Sequence, residues 1–262
     1  MTRRRRIDDV LVDRGLADDH AHAHDLIARH VVTIDNAPVL GPGRLVDPAE
    51  QVRVVEPGKY VSRGGGKLEA GLRDLAVDVT NARVIDVGAS TGGFVDCLLV
   101  HGARSVTACD VGRGLLHPRI AADPRVAVRD GVNGRDLAAA VARGDVASDH
   151  DLAVADVSFI SLRVLRNGIL SSVRPGGSAL LLVKPQFEAT RREVDAGAGV
   201  VRDDAVRTRC VDEVAQWYAQ GGCTELGRVD CSVHGPAGNR EVWLWLAVPD
   251  VPSVDGRVDD DE

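Results

Sequence analysis

Four charged side chains stand where apolar segments are predicted to begin or end. Asp156 and Lys184 each stand at the end of an apolar run, and Glu241 precedes another. Lys67 opens a predicted helix after a glycine-rich segment. Two lysines and two acids around one hydroxyl group could orient it, favour its alkoxide and direct it at a methyl donor, with no need for a metal. Taken singly, each is more often a solvated or paired surface charge.

A glycine-rich turn is the second feature that could do chemistry. Residues 84–94 read VIDVGASTGGF, which predicts a strand, a tight turn and the start of a helix. Glycines let a ligand approach the backbone, and the helix N-terminus supplies free N–H groups. The pattern is neither the dinucleotide-binding G-x-G-x-x-G nor a P-loop. Asp86 would repel a pyrophosphate but suits a ligand with a cationic amino-acid end, such as S-adenosylmethionine.

Two further strand ends extend this predicted cofactor site. Asp110 stands where such sheets usually place the carboxylate that accepts ribose hydroxyls. Asp130 and Asn133 follow the next apolar run and could flank an adenine. A generic turn with solvated acids is the competing interpretation, because short motifs of this kind also occur by chance. The predicted cofactor-binding residues are Asp86, Gly88, Ala89, Ser90, Gly92, Gly93, Phe94, Asp110 and Asp130.

Alternating strands and helices must position these groups. Continuous Val, Ala, Leu and Ile runs, separated by helical stretches, favour a mostly parallel sheet covered on both faces, a doubly wound, Rossmann-like α/β domain. The predicted strands are 83–87, 105–110, 126–128, 152–156, 179–183, 225–231 and 242–248, and the main predicted helices are 67–75, 92–101, 137–142, 162–170 and 203–220.

The chain divides into a small unit, a large one and a tail. Residues 1–56 read as two short helices followed by short strands, and 57–66 as a glycine-rich linker. The α/β domain is predicted over 67–249. Residues 250–262 carry six acids against one arginine, which is typical of a solvated, disordered end.

Composition narrows the functional class. With 44% hydrophobic and 27% charged residues in 262, wholesale disorder is excluded. A net charge of -7 excludes a whole-protein attraction to nucleic acid, so any nucleic-acid contact must come from local patches such as the basic run Arg3, Arg4, Arg5 and Arg6. The five cysteines show no C-x-x-C spacing, which predicts reduced thiols and no metal site. No membrane-length apolar run or secretory signal is seen, and a cytoplasmic location is expected.

These motifs together resemble the TlyA family, also called haemolysin A, of ribosomal-RNA cytidine-2'-O-methyltransferases, whose catalytic domain is of the FtsJ type. The resemblance extends to about residue 248. It is carried by matches within 5–16, 60–68, 86–94, 156–162, 184–188, 199–203 and 238–241.

The resemblance implies roles for individual residues. A K-D-K-E catalytic tetrad falls on Lys67, Asp156, Lys184 and Glu241, S-adenosylmethionine is expected at the turn and at Asp110, and Phe159 is expected near the methyl donor. The N-terminal unit resembles the small RNA-binding domain of the ribosomal-protein-S4 type. Ribosomal RNA or ribosomal subunits, and not DNA, are the implied partners, with RNA contacts expected from Arg3, Arg4, Arg5, Arg6, Arg14 and Arg63.

Some residues depart from the family pattern and leave alternatives open. Asp18-Asp19-His20 stands where the family has Ser-Arg and further basic residues, Ala237 stands where a serine is common, and residues 1–60 are close to neutral. One alternative is a related enzyme that methylates another RNA or a small molecule. The other is a non-catalytic RNA-binding factor for ribosome assembly, which any measurable turnover would eliminate.

Overall fold

The computed structural model describes residues 4–28, 31–35, 37–39, 41–54, 59–233 and 238–250. The chain forms two compact units, Met1–Lys59 and Tyr60–Glu262. Arg3, Ala237 and almost all of the predicted acidic tail lie outside the described residues. Within the described part, no helix is long and apolar enough to cross a membrane.

The first unit is built on two short helices and short antiparallel strands. Strands β3, β2 and β5 form one sheet in that order, and β1 pairs with β4. The helices contribute Ile7, Leu11 and Ile27 to a small apolar core. The elements are β1 Arg5–Arg6, α1 Ile7–Asp13, α2 His20–Ala28, β2 Val32–Ile34, β3 Ala37–Pro38, β4 Leu45–Val46 and β5 Val52–Val54.

The second unit alternates strands and helices around one sheet. In chain order its elements are α3 Arg63–Asp74, β6 Arg83–Val87, α4 Gly93–Val100, β7 Ser105–Asp110, α5 Pro118–Ala121, β8 Val126–Asp130, α6 Leu137–Ala142, β9 His150–Ala155, α7 Leu162–Ser172, β10 Val173–Val183, α8 Arg191–Ala196, α9 Asp204–Gln220, β11 Thr224–Asp230 and β12 Val242–Ala247. A short 3-10 turn, Pro185–Phe187, follows β10.

The predicted mostly parallel sheet is confirmed. Its strand order is β11-β12-β10-β9-β6-β7-β8. The strands from β10 to β8 pair in parallel, whereas β12 is antiparallel to both of its neighbours. Because β12 runs backwards, the residues that precede it stand at the same edge as the ends of the parallel strands.

Apolar side chains on both faces of the strands explain the continuous hydrophobic runs. Along β6, Val84 packs in one core cluster and Ile85 in the other, because successive strand residues point to opposite faces. Helices α3 and α4 cover the first face with residues such as Leu68 and Leu98. Helices α6, α7 and α9 cover the second face with residues such as Leu165.

Side-chain caps begin the helices that follow the functional edge. Ser161 accepts a hydrogen bond from the Arg163 N–H at the start of α7. Asp203 accepts one from the Ala205 N–H at the start of α9. Each cap satisfies a donor that the helix itself leaves free, so the loops before these helices have defined ends.

The structure corrects the predicted linker over 57–66. The second compact unit begins at Tyr60, and α3 begins at Arg63. The Tyr60 ring is buried against Gly65, where an added Cβ would lie 2.3 Å from the Tyr60 Cγ. The Val61 N–H donates to the buried Asp96 carboxylate at 2.9 Å. Gly65, within the predicted linker, therefore allows close packing inside the second unit.

Candidate active site

The predicted tetrad residues meet at the carboxyl edge of the sheet. Asp156 directly follows β9 and Lys184 directly follows β10. Glu241 precedes the antiparallel strand β12, whose first residue pairs with the last residue of β10. Lys67 lies in the first part of α3. All four line one cavity of about 400 Å³.

Two buried ion pairs connect these four side chains. The Lys67 Nζ lies 2.6 Å from the Glu241 Oε2, with Lys67 9% and Glu241 1% exposed. The Lys184 Nζ lies 2.5 Å from the Asp156 Oδ1 and donates to the Ser158 Oγ at 3.0 Å. Each buried charge has an opposite partner, which offsets much of its desolvation cost. The cavity thus presents ammonium donors and carboxylate acceptors side by side.

The glycine-rich turn forms the wall next to this pair. Gly88 has φ +89°, and an added Cβ there would lie 3.0 Å from the Asp156 carbonyl oxygen. Ser90 also adopts a left-handed φ of +48°. The turn must therefore pass close to the loop after β9, and only glycine fits at its first position. Helix α4 then begins at Gly93, which lines the same cavity.

A second cavity of about 420 Å³ adjoins the first. Both cavities are lined by Gly88, Ser90, Asp156 and Ser158. The second one has mainly apolar walls, with a few polar groups that include Asp110. Asp110 accepts hydrogen bonds from the Ser90 and Gly112 N–H groups, at 2.8 and 2.7 Å. A largely apolar cavity with a carboxylate at one side fits a nucleoside.

Phe159 and Asn133 also line this second cavity. Phe159 is 90% exposed, has a left-handed φ of +64°, and lies with its ring centroid 5.2 Å from that of Phe187. The Asn133 side chain accepts a hydrogen bond from the Arg135 N–H. The structure thus places both residues at the wall of this cavity.

Asp86 and Asp130, which were also predicted to bind the cofactor, line neither of the two cavities. Asp86 is completely buried beneath the turn, and among the described residues its carboxyl oxygens have no hydrogen-bond partner. Burial, with Asp156 and Asp110 nearby, raises its pKa well above the ordinary value. Asp130 accepts the Gly114 N–H at 2.8 Å and so holds a loop.

Of the remaining predicted cofactor residues, Gly92 is also structural. It has φ +90°, and an added Cβ would lie 2.9 Å from the Leu116 Cδ1. It lines neither cavity, whereas Ala89, Gly93 and Phe94 line the first one. The glycine run therefore combines positions that line a cavity with one that allows close packing.

Glu188 was missed by sequence reasoning. This buried carboxylate follows Lys184 in the segment KPQFE and accepts hydrogen bonds from the Ser161 Oγ at 2.5 Å and the Leu162 N–H at 2.7 Å. Burial raises its pKa. It joins the loop that carries Lys184 to the loop that carries Asp156. In the sequence, Glu188 is marked only as an acid that follows an apolar strand and a Pro-containing turn.

Most of the predicted RNA-binding arginines of the first unit already contact acids or carbonyl groups of that unit. Arg5 pairs with Asp13, and Arg6 pairs with Asp8 at 2.7 Å. Arg14 donates to the Glu50 carbonyl oxygen at 3.1 Å. Arg4 is exposed, and Arg63 lines the first cavity of the second unit.

The three histidines of α2 also have acidic partners. The His20, His22 and His24 rings lie within 3.2 Å of the carboxylates of Asp9, Asp18 and Asp8. Among the described residues no group of three or more potential ligands could hold a metal ion.

Comparison with known proteins gives one family and close relatives. Residues 60–248 match the model of the FtsJ-like methyltransferases. The 16S/23S rRNA (cytidine-2'-O)-methyltransferase TlyA of Mycobacterium tuberculosis is 40% identical, over 94% of this chain and 91% of the relative. Hemolysin A of Brachyspira hyodysenteriae is 33% identical, over 90% of this chain and 97% of the relative.

A solved structure covers almost the same length. It is described as a hemolysin from Streptococcus thermophilus, with a TM-score of 0.70 and 31% identity, and it covers 96% of this chain and 91% of that chain.

Proposed function

The chain belongs to the TlyA family of FtsJ-like methyltransferases, and we propose that it transfers a methyl group from S-adenosylmethionine to the 2'-hydroxyl of a cytidine in ribosomal RNA. One observation carries the proposal: two cavities of similar size meet at Asp156 and Ser158, and the two ion pairs line one of them. A donor and an acceptor bound in adjoining cavities would meet beside these charges.

The second cavity is the proposed cofactor site. Asp110 would accept the ribose hydroxyls, and Asn133 would lie beside the adenine. Backbone groups of the turn at Gly88 and Ser90 would approach the amino-acid end. When bound, S-adenosylmethionine supplies a methyl group activated by a sulfonium. Phe159 stands at the rim of this cavity and would shield the bound molecule from water.

The first cavity is the proposed acceptor site, with Lys67, Asp156, Lys184 and Glu241 as catalytic residues. The Lys184 Nζ would orient the 2'-hydroxyl as an ammonium donor, or would accept the hydroxyl proton as a neutral amine after passing its own proton to Asp156. Its partner Asp156 holds the ammonium in place, and the Lys67–Glu241 pair balances the charge on the opposite wall. In-line transfer needs close approach and alignment of oxygen and methyl carbon, which a rigid set of ion pairs can supply. The target nucleotide must be turned out of its helix to reach them.

The first unit is the proposed RNA-docking module, an RNA-binding domain of the ribosomal-protein-S4 type. Its two short helices packed beside a small sheet support this proposal. The ribosome is the proposed partner, and the reaction then belongs in the cytoplasm. The 2'-hydroxyl is also the group by which a protein distinguishes RNA from DNA.

One observation favours a narrower alternative, an enzyme with the same chemistry and a different acceptor. In the first unit, Arg5, Arg6 and the α2 histidines lie against acids of α1 and of the loop after it. Arginines held this way contribute less to phosphate binding. A family member whose docking module lost affinity for rRNA would show this pattern.

Transfer of labelled methyl from S-adenosylmethionine tests the proposal. The acceptors are 30S subunits, 50S subunits, naked rRNA and total tRNA, and the proteins are wild type, Lys184→Ala and, as a matched control, Lys59→Ala. Label on a ribosomal acceptor that is lost only in Lys184→Ala is the expected result. Cofactor binding without label on any ribosomal acceptor would contradict the proposed substrate, and equal label from Lys184→Ala would contradict the catalytic assignment.

A further inference from the structure

Unpaired arginines are rare in the second unit and are concentrated at one edge. Most of its arginine side chains form an ion pair or donate to a backbone carbonyl. Among the described residues, five have neither kind of partner, although all five are exposed: Arg63, Arg104, Arg113, Arg192 and Arg202. The chain has 39 acids against 32 lysines and arginines. Because acids are in excess, an arginine without an acidic partner is unusual in this protein.

Four of the five stand at the edge that carries the two cavities. Arg63 lines the first cavity. Arg113 follows β7 in the loop between Asp110 and Leu115, both of which line the second cavity. Its guanidinium lies over Gly131, where an added Cβ would be 2.6 Å from the Arg113 Nη2.

Arg192 and Arg202 belong to the segment that follows the Lys184 loop. Arg192 lies in α8, after the turn that begins at Lys184. Arg202 follows Val201, whose N–H donates at 2.9 Å to the buried amide oxygen of Asn239, close to Glu241 in sequence. Only Arg104 lies elsewhere, since it precedes β7 and so stands at the opposite edge of the sheet.

Four acids close in sequence or space to these arginines are bound to other groups. Asp110 and Asp130 accept backbone N–H groups of their loops. Asp203 caps α9, and Glu193 caps α8 and pairs with Arg209 at 2.7 Å. A phosphate could therefore contact the free guanidinium groups without breaking an existing ion pair.

We propose that Arg113, Arg192 and Arg202 form a second RNA-binding surface, on the catalytic unit itself, that holds backbone phosphates on either side of the target nucleotide. This surface rests on the proposed function, because it assumes an RNA acceptor. Guanidinium groups bind phosphate oxygens in pairs, and each contact releases counterions from the RNA. S-adenosylmethionine carries no phosphate, so the surface serves the acceptor and not the cofactor.

Equilibrium binding of full-length protein to naked 16S and 23S rRNA, measured over a range of potassium chloride, tests the surface. The variants are Arg113→Ala, Arg192→Ala, Arg202→Ala and the triple substitution. Arg104→Ala is the matched control, an equally exposed and unpaired arginine at the other edge. We expect each single substitution to raise Kd about fivefold at moderate salt and to reduce the slope of log Kd against log salt by about 1. The control should change neither quantity.

The surface is overturned if the triple variant keeps the wild-type salt slope, or if Arg104→Ala loses as much affinity as the others. Thermal melting and S-adenosylmethionine binding, both expected to match wild type, exclude misfolding as the cause of a loss. Lys184→Ala should bind RNA with the wild-type slope while losing transfer. Salt-dependent RNA binding without transfer by wild type would overturn the proposed function alone, whereas transfer that the triple variant retains at wild-type KM would overturn the surface alone.

Discussion

At the scale of single residues, paired burial of opposite charges defines the site. The Lys67 and Glu241 side chains are 11% and 1% exposed, so neither has enough water to stabilise its charge alone. The Lys184–Asp156 pair is similar but opens further toward the cavity. Removing one partner leaves the other charge buried and uncompensated, whereas removing both does not. Comparing single with double substitutions therefore separates an effect of the pair on stability from an effect on methyl transfer.

Glu241→Ala should therefore lose both stability and methyl transfer. Breaking a buried ion pair costs about 3 to 5 kcal/mol. The double variant Lys67→Met, Glu241→Leu should regain most of that stability, because no buried charge remains, while transfer stays absent. Urea unfolding and single-turnover transfer measure the two effects. Recovery of transfer in the double variant would show that the pair is structural only.

Asp86→Asn tests whether this carboxyl is buried away from the cofactor. Its folded pKa is raised by burial, so the folded state binds the proton more tightly than the unfolded one. Wild-type stability is then full below the unfolded pKa and falls as pH rises toward the folded pKa. The neutral asparagine should be more stable than wild type at pH 8, with the difference shrinking toward pH 4, in urea titrations across that range.

Cofactor affinity supplies the second measurement on Asp86→Asn. Because Asp86 lines neither cavity, the Kd for S-adenosylmethionine should stay close to wild type. A large loss of affinity in a folded variant would mean that Asp86 contacts the ligand after all, as the sequence pattern suggests.

At the scale of elements, the sequence predicts strands better than the segments between them. β6 and β7 have their predicted bounds, and β9 is found two residues earlier at its start and one residue earlier at its end. The agreement arises because strands buried on both faces must be continuously apolar. β10 begins at Val173, six residues before the predicted start at 179. The prediction missed this part because Pro and Gly, here Pro175, Gly176 and Gly177, are rare inside strands. The backbone resumes pairing after a register shift between Val173 and Ser178.

The site is predictable to a similar degree. Asp156, Lys184 and Glu241 were predicted from charged residues at strand boundaries and Lys67 from a helix start, and the structure brings all four to one cavity. The position of Asp86 could not be predicted, because a strand-terminal acid reads the same whether it faces a ligand or lies beneath the turn. The role of Glu188 depends on a contact between two loops, which no local pattern contains.

Glu188 should act by holding those two loops together. Glu188→Ala leaves the buried Leu162 N–H without its acceptor, which costs about 1 to 3 kcal/mol. It should also lower kcat, because Lys184 and Asp156 lose their common anchor. Glu188→Gln keeps a neutral acceptor of the same shape and should restore most of kcat. Steady-state kinetics on both variants checks this, and equal loss in the two would contradict a positioning role.

At the scale of the whole molecule, the distribution of charge matters more for RNA binding than the net charge does. The chain carries a net charge of -7, yet the unpaired arginines of the second unit lie mainly around the two cavities. The first unit pairs Arg5 and Arg6 with its own acids. We therefore expect affinity for RNA to respond strongly to single charges in the first unit.

Asp18 is the position at which to test that response. Its side chain is 94% exposed, and its close partner is His22 at 3.2 Å. Asp18→Arg should lower the Kd for rRNA and increase the magnitude of the salt slope by about 1, because it adds one phosphate contact. Asp18→Asn should show a smaller gain in affinity without the added slope. No change in either variant would place the first unit away from the RNA.

The proposed methylation of the 2'-oxygen of a cytidine can be measured directly. Ribosomal subunits treated with wild-type or Lys184→Ala protein and S-adenosylmethionine are digested to nucleosides and analysed by mass spectrometry. We expect 2'-O-methylcytidine after treatment with the wild type and none after treatment with Lys184→Ala. A methyl group on the base, or on the ribose of another nucleoside, would contradict it.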